Sequence, residues 1–125
     1  MKNMLLLAVL VGLFAVVSTN VQAQQGIKNA TNCAMLVKFA HGNPFTCTTT
    51  GTQTYTLAPM SSIFPLPIPA GEQIVVAKGA DVGFTCPIWY IGFPCSGYSF
   101  GQGIVCPTCN DYKAELIPYG IYLHY

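Results

Sequence analysis

The chain has very little charge and no arginine. Charged residues make up 7% of its 125 residues, and four lysines stand against four carboxylates between residues 24 and 125, so this part has no formal net charge. A nucleic-acid interface needs a cluster of cations that neutralise phosphates, and an electrostatic membrane surface needs a similar cluster. The composition therefore excludes nucleic-acid binding and polybasic membrane binding.

The motifs of common catalytic and metal sites are also missing. There is no Gly-x-Ser-x-Gly elbow and no His-Glu-x-x-His motif. His41 lies in a Gly-Asn-Pro turn, His124 lies near the last residue, and the carboxylates show no spacing typical of a catalytic pair. We therefore predict no catalytic residue, no metal ligand and no cofactor, and we expect that the protein is not an enzyme.

Segments long enough for an amphipathic helix are absent as well. Glycine and proline interrupt the chain at short intervals from Gly42 to Pro118, and only 110–116 is a short helical candidate. About seven short segments with strand-like patterns, separated by turn signals, predict an all-β fold. We expect a small disulfide-stapled antiparallel β-sandwich, with a small β-barrel as the alternative.

Three strand candidates carry further information. Met35, Val37 and Phe39 alternate with other residues and so share one face, which we assign to the core. Prolines at every second position of 63–69 exclude a central strand and favour an edge strand or an exposed arm. The last candidate, 120–125, pairs either within its own domain or with the sheet edge of a neighbouring molecule.

The first residues have the pattern of a secretory signal peptide. Lys2 precedes an apolar run at 4–17, and 21–23 form a small-residue cleavage pattern. The run is shorter than the about 20 residues that cross a bilayer. We predict a signal peptide at 1–23 and a single β-rich domain at 24–125 that has no membrane span. The expected location is extracellular or at the cell surface, or the periplasm in a bacterial host.

Six cysteines follow the predicted signal peptide, an even number typical of an exported, disulfide-bonded domain. They are Cys33, Cys47, Cys86, Cys95, Cys106 and Cys109. Among the many pairings we favour Cys33–Cys47, whose ends a hairpin would join, and Cys86–Cys95 for a similar reason. The C-x-x-C motif at 106–109 also fits a thiol–disulfide exchange site or part of a zinc site. An exchange site needs a preceding strand and a following helix, and this context is missing. A zinc site of this kind needs a second C-x-x-C motif, which is also missing.

Aromatic residues crowd into a glycine-rich stretch in the second half of the chain. Trp89, Tyr90 and Tyr98, together with Tyr112, are candidate ligand-binding residues because Trp and Tyr rings combine an apolar face with a polar tip. The alternative is that such residues fill the core, and we expect this for Trp89 and Phe84.

These observations favour a secreted, non-enzymatic β-domain that acts by surface binding, adhesion or assembly, with an unknown protein or glycan as its partner. The alternatives are a carbohydrate-binding module that uses the aromatics of 84–100, a C-x-x-C oxidoreductase, and a secreted effector or toxin. Self-assembly could use the strand at 120–125. In its small size, early disulfide, sandwich strands and terminal aromatic the chain resembles pilin subunits, and no family follows from features so general.

Overall fold

In the computed structural model of the chain, which describes residues 24–125, nine strands form two open sheets. The strands are β1 Gly26–Asn29, β2 Met35–Asn43, β3 Thr48–Leu57, β4 Ser61–Ile63, β5 Gln73–Asp81, β6 Trp89–Gly92, β7 Gly101–Ile104, β8 Tyr112–Ile117 and β9 Gly120–His124. Sheet A has the order β4-β1-β9-β8-β7 and sheet B the order β3-β2-β5-β6. Only β1 and β9 are parallel neighbours among these strands. The predicted β-sandwich is confirmed, and the barrel alternative is not.

The inner faces of the two sheets share one hydrophobic core. Met35, Val37 and Phe39 of β2 all point into it, as the alternation predicted. Trp89 of β6 is completely buried and packs against Gly79 of β5, where a Cβ atom would overlap the indole ring. The core therefore depends on a large residue and a missing side chain at opposite positions of two neighbouring strands.

The last strand lies inside sheet A. β9 pairs with β1 on one side and with β8 on the other, so its backbone presents no free edge. Pairing within its own fold is therefore confirmed for the last predicted strand. Among the strands of residues 24–125, β4 and β7 of sheet A and β3 and β6 of sheet B each have a free edge.

The proline-rich segment is an edge strand followed by irregular chain. β4 pairs only with β1 and ends at Ile63, before the first proline of the segment. The chain then leaves the sheet, and Leu66 is buried while its amide donates to the Gln25 carbonyl at 2.8 Å. The predicted exclusion from the sheet interior is confirmed, because proline lacks the amide donor that an interior strand needs.

The helical candidate at 110–116 is wrong. Residues 112–117 form β8, in which Tyr112, Ala114 and Leu116 are buried while Lys113 faces outward. Burial at every second residue is the period of a strand, and pairing with β7 and β9 supplies its backbone hydrogen bonds. A cap-like Asn-Asp pair before a short segment was therefore a weaker signal than the alternation within it.

Both favoured disulfide pairings are wrong. The bonds are Cys33–Cys109, Cys47–Cys95 and Cys86–Cys106, and none of the cysteines is free. Cys33 precedes β2 and Cys47 follows it, so a nine-residue strand of about 30 Å separates them. The Cα atoms of a disulfide must lie within about 7 Å of each other. β6 separates Cys86 from Cys95 in the same way.

Within residues 24–125 no helix is long and apolar enough to cross a membrane. The predicted signal peptide at 1–23 lies outside the described residues.

Candidate functional site

The outer face of sheet B carries a row of aligned side chains. Lys38 on β2 lies directly opposite Lys78 on β5, with Thr54 of β3 beside the first lysine and Tyr90 of β6 beside the second. All four side chains are exposed, because they alternate with core residues along their strands. We call the row formed by Thr54, Lys38, Lys78 and Tyr90 the lysine row.

Neither lysine of this row has a partner in the described part of the chain. Among residues 24–125, Lys38 and Lys78 form no ion pair and no hydrogen bond from the side chain. Like charges directly opposite each other across two strands destabilise a sheet. The pair is therefore a concentrated and unneutralised positive charge in a part of the chain whose net charge is zero.

Two cationic groups on the outer face of sheet A, Lys28 and His124, have close neighbours. Lys28 lies 5.7 Å from the ring centroid of Tyr122, and His124 stacks on the same ring. His124 Nε2 is 3.2 Å from Glu115 Oε2. Lys113 on β8, like the two lysines of sheet B, forms no ion pair or hydrogen bond from its side chain among the described residues, but it lies opposite His124 and not opposite a second lysine. The direct opposition of two unneutralised lysines is therefore what distinguishes sheet B within residues 24–125.

Tyr90 of the lysine row and Tyr98 form an aromatic wall beside the two lysines. Tyr90 and Tyr98 stack with their ring centroids 5.5 Å apart at 13°, and 40% and 45% of their surfaces are exposed. The short 3-10 helix Pro94–Ser96 ends at Gly97, whose φ of 84° is the left-handed conformation that glycine adopts freely, and this turn brings Tyr98 back over Tyr90. The Cys47–Cys95 disulfide ties the helix to the β2–β3 turn. The turn at Gly97 and the Cys47–Cys95 disulfide thus both hold the wall in place.

Two shallow hollows lie on either side of the lysine pair. One of about 340 Å³ is lined by both lysines, by both tyrosines of the wall, and by residues of β2, β3 and β5 that include Ala40, Thr52 and Val76. The other, of about 240 Å³, shares the two lysines and extends to Phe84 and Ile88. Side chains shorter than those of the lysines flank them along the strands, Ala40 and Val76 in the first hollow and Ala80 in the second. The two lysines, which line both hollows, therefore lie between them.

The four residues predicted to bind a ligand separate into two pairs. Tyr90 and Tyr98 lie together on the outer face of sheet B. Trp89 and Tyr112 are 0% and 2% exposed and so belong to the core, as expected for Trp89. The expectation of a core position for Phe84 is wrong, since 60% of its surface is exposed beside the second hollow.

The two buried aromatics have polar atoms without hydrogen-bond partners. Trp89 Nε1 and Tyr112 Oη are both unpartnered within the described residues. Burial, with a contribution from the negative charge of Asp81, raises the pKa of Tyr112 to about 12. Tyr112 is therefore a neutral core residue at ordinary pH and has no surface to offer a ligand.

A histidine, a glutamate and a threonine meet at one end of sheet B. His41 Nδ1 lies 2.9 Å from Glu72 Oε1, and the Thr50 hydroxyl donates to the same carboxylate oxygen. Hydrogen bonds from Thr50 and then from His41 hold the pKa of Glu72 below its ordinary value. In a nucleophilic triad the hydroxyl and the carboxylate occupy opposite ring nitrogens, whereas here both face Nδ1 and the other nitrogen faces Gly51.

The sulfurs of Cys86, Cys106 and Cys109 lie within 4.8 Å of one another. Each belongs to a disulfide, and metal ligation by cysteine requires a thiolate. The two cysteines of the C-x-x-C motif are bonded to different partners, and a strand, not a helix, follows them. This cluster therefore joins the β1–β2 and β5–β6 connections to the loop that precedes β8.

Sequence reasoning found the two tyrosines but missed the lysines. The alternation along β2 places Lys38 on the face opposite Met35, Val37 and Phe39, but nothing in the sequence places Lys78 across from it. Only the register between β2 and β5 brings them together.

Comparisons with known proteins add no assignment. No family model matches the chain, and no curated protein or solved structure is significantly similar to it.

Proposed function

We propose that this protein is an exported, non-enzymatic binding domain that recognises its partner with the outer face of sheet B. The observation that carries the proposal is the lysine row, with two unpartnered lysines at the centre of a surface that Tyr90 and Tyr98 border. Side chains that cost stability without a partner, next to exposed aromatic rings, are typical of a recognition surface.

Two features support export. The three disulfides fit an oxidising compartment, since such bonds are rare in reducing cytosol. The signal-peptide pattern at 1–23 agrees with that environment.

The non-enzymatic part of the proposal rests on the arrangement of the titratable groups. The His41–Glu72–Thr50 cluster lacks the order of a nucleophilic triad, and the cysteine cluster is fully oxidised. Binding by surface complementarity needs neither kind of group.

A glycan is the partner that the surface fits best. The stacked tyrosines offer ring surface and hydroxyl groups, and Thr52 and Thr54 add hydroxyls on the other side of the lysines. Strand addition by a protein partner requires a free sheet edge, whereas β2 and β5, which carry the lysines, are paired on both sides. The surface therefore offers side chains, not backbone, for recognition.

Retention on immobilised polysaccharides tests this function. We expect the protein to be retained on at least one polysaccharide of a panel of neutral and acidic polymers, and Tyr90→Ala and Tyr98→Ala to lose most of that retention. Tyr119→Ala is the matched control, because Tyr119 stacks on Phe64 with centroids 5.4 Å apart and lies outside the outer face of sheet B. Retention of no polymer, or equal loss in all three variants, would contradict the proposal.

A further inference from the structure

The lysine pair is an unusual use of charge in this chain. Residues 24–125 contain only four lysines, and two of them lie directly opposite each other on neighbouring strands. Opposed like charges destabilise a sheet, so selection for stability alone would keep such side chains apart. An anion bound between the two lysines would neutralise this charge, and the described residues supply none there.

Every carboxylate in the described residues is engaged elsewhere. Glu72 binds His41 and Thr50, and Glu115 lies beside His124. Asp81 accepts hydrogen bonds from the amides of Thr85 and Cys86, and Asp111 accepts one from the Cys106 amide. None of the four lines either hollow, so the positive charge of the lysine row is open to an external anion.

We propose that the outer face of sheet B binds an acidic polysaccharide, with one of its carboxylates between the ammonium groups of Lys38 and Lys78. This inference rests on the proposed function and names the chemical class of its ligand. The sugar rings on either side of that carboxylate occupy the two hollows, one against Tyr90 and Tyr98 and the other towards Phe84.

The shape of the face favours a polymer of sugars over other anions. The two hollows border the same two lysines from opposite sides, so a chain that lies over both brings its charge to the centre. Two lysines are too few for a nucleic acid, whose affinity depends on many phosphate contacts. An acidic peptide that bound by strand addition would do so at β3 or β6, the free edges of sheet B, and not across the two lysines on β2 and β5.

The test compares one polymer in two charge states. Polygalacturonate and its carboxyl-reduced form have the same chain but differ in the carboxylates, and affinity electrophoresis or calorimetry measures binding to each. Because charge-assisted hydrogen bonds are the strong ones, we expect the reduced polymer to bind about tenfold more weakly or worse. Lys38→Gln and Lys78→Gln should each weaken binding of polygalacturonate about fivefold to tenfold, and added salt should weaken it further.

Lys113→Gln is the matched control. Lys113 is exposed on β8 of sheet A, so its substitution removes the same charge from the opposite face. We expect its affinity for polygalacturonate to equal that of the unmodified protein. A loss as large as that of Lys38→Gln would show that net charge alone governs binding and would overturn the inference.

The remaining outcomes separate the inference from the proposed function. Equal binding of the charged and reduced polymers, with no effect of either lysine variant and a loss in Tyr90→Ala, would overturn the anionic ligand and leave glycan binding in place. Binding of neither polymer, nor of any other in the panel, would overturn both. Polyglutamate that binds as tightly as polygalacturonate would show that the face recognises charge without sugar, which would also overturn the inference.

Discussion

Replacing one lysine of the opposed pair should stabilise this protein. Residues directly opposite each other on antiparallel strands have Cβ atoms about 5 Å apart, and flexible stems let the two ammonium groups separate to roughly 6 Å or more. At about 6 Å in water the repulsion is about 0.7 kcal/mol, and it falls to about 0.3 kcal/mol at physiological salt and about 0.1 kcal/mol at 1 M. Lys38→Gln or Lys78→Gln removes this repulsion.

A double-mutant cycle in urea measures it. The unmodified protein, both single variants and the double variant are unfolded at about 0.01 M and about 1 M salt. At low salt, each single substitution should raise the free energy of unfolding by up to about 0.7 kcal/mol, and the double substitution should raise it no further, since either change removes the whole repulsion. At high salt the coupling should disappear. Lys113→Gln, which has no lysine opposite it, should show no such dependence on salt.

The reasoning is refuted if the single variants are less stable than the unmodified protein at low salt, or if the coupling between them is zero there. Either result would mean that the two ammonium groups do not repel across the strands. The energetic reason for an external anion would then be lost.

Three further predictions concern the core and its loops. Gly79→Ala places a methyl group against the Trp89 ring and 2.6 Å from the Leu36 carbonyl oxygen. Thermal or urea unfolding should therefore show that the free energy of unfolding falls by about 1–3 kcal/mol. Gly103→Ala is the control and should be tolerated, because the space around Gly103 is open. Asp81→Ala leaves buried amides without an acceptor and should cost about 1–3 kcal/mol. Burial tends to raise the pKa of Asp81, but hydrogen bonds from Thr85 and Cys86 outweigh burial and hold this pKa below its ordinary value. The ionised Asp81 side chain therefore stabilises the fold above pH 3.8, and this stabilisation is lost as the pH falls through the lower pKa of the folded state. Asp81→Asn should make the free energy of unfolding less dependent on pH in this acid range. Tyr112 has a raised pKa of about 12, so its contribution to the free energy of unfolding is constant below pH 10 and is lost as the pH rises from 10 to 12. Ultraviolet titration should therefore find one tyrosine that ionises at higher pH than the others. A titration in which all tyrosines ionise near pH 10 would contradict the buried position of Tyr112.

Local alternation predicted the fold class and the face of β2 that enters the core. Met35, Val37 and Phe39 needed no information beyond their spacing, because a strand with one buried face has a period of two. The same rule applies to Tyr112, Ala114 and Leu116, but a short window next to a cap-like pair was assigned to a helix. β1 and β7 were not predicted, since each has only four residues, too few for an alternating pattern to be detected, and two of the four in β7 are glycines.

Properties that depend on register were beyond the sequence. The disulfides join cysteines that are 20, 48 and 76 positions apart, and each was missed because sequence proximity was taken for spatial proximity. β2 lies between Cys33 and Cys47 and β6 lies between Cys86 and Cys95, so each favoured pair is carried apart by a strand. The lysine pair depends equally on register, since a shift of one residue between β2 and β5 would turn one lysine to the core side.

The most direct test of the account is a titration of the isotope-labelled protein with a short oligogalacturonate, followed by backbone amide NMR. We expect the shifts that change to cluster around Lys38, Lys78, Tyr90 and Tyr98 on the outer face of sheet B, with those of β8 and β9 on sheet A unchanged. Changes that centre on sheet A, or on the loops at either end of the sandwich, would contradict the assignment of the recognition surface.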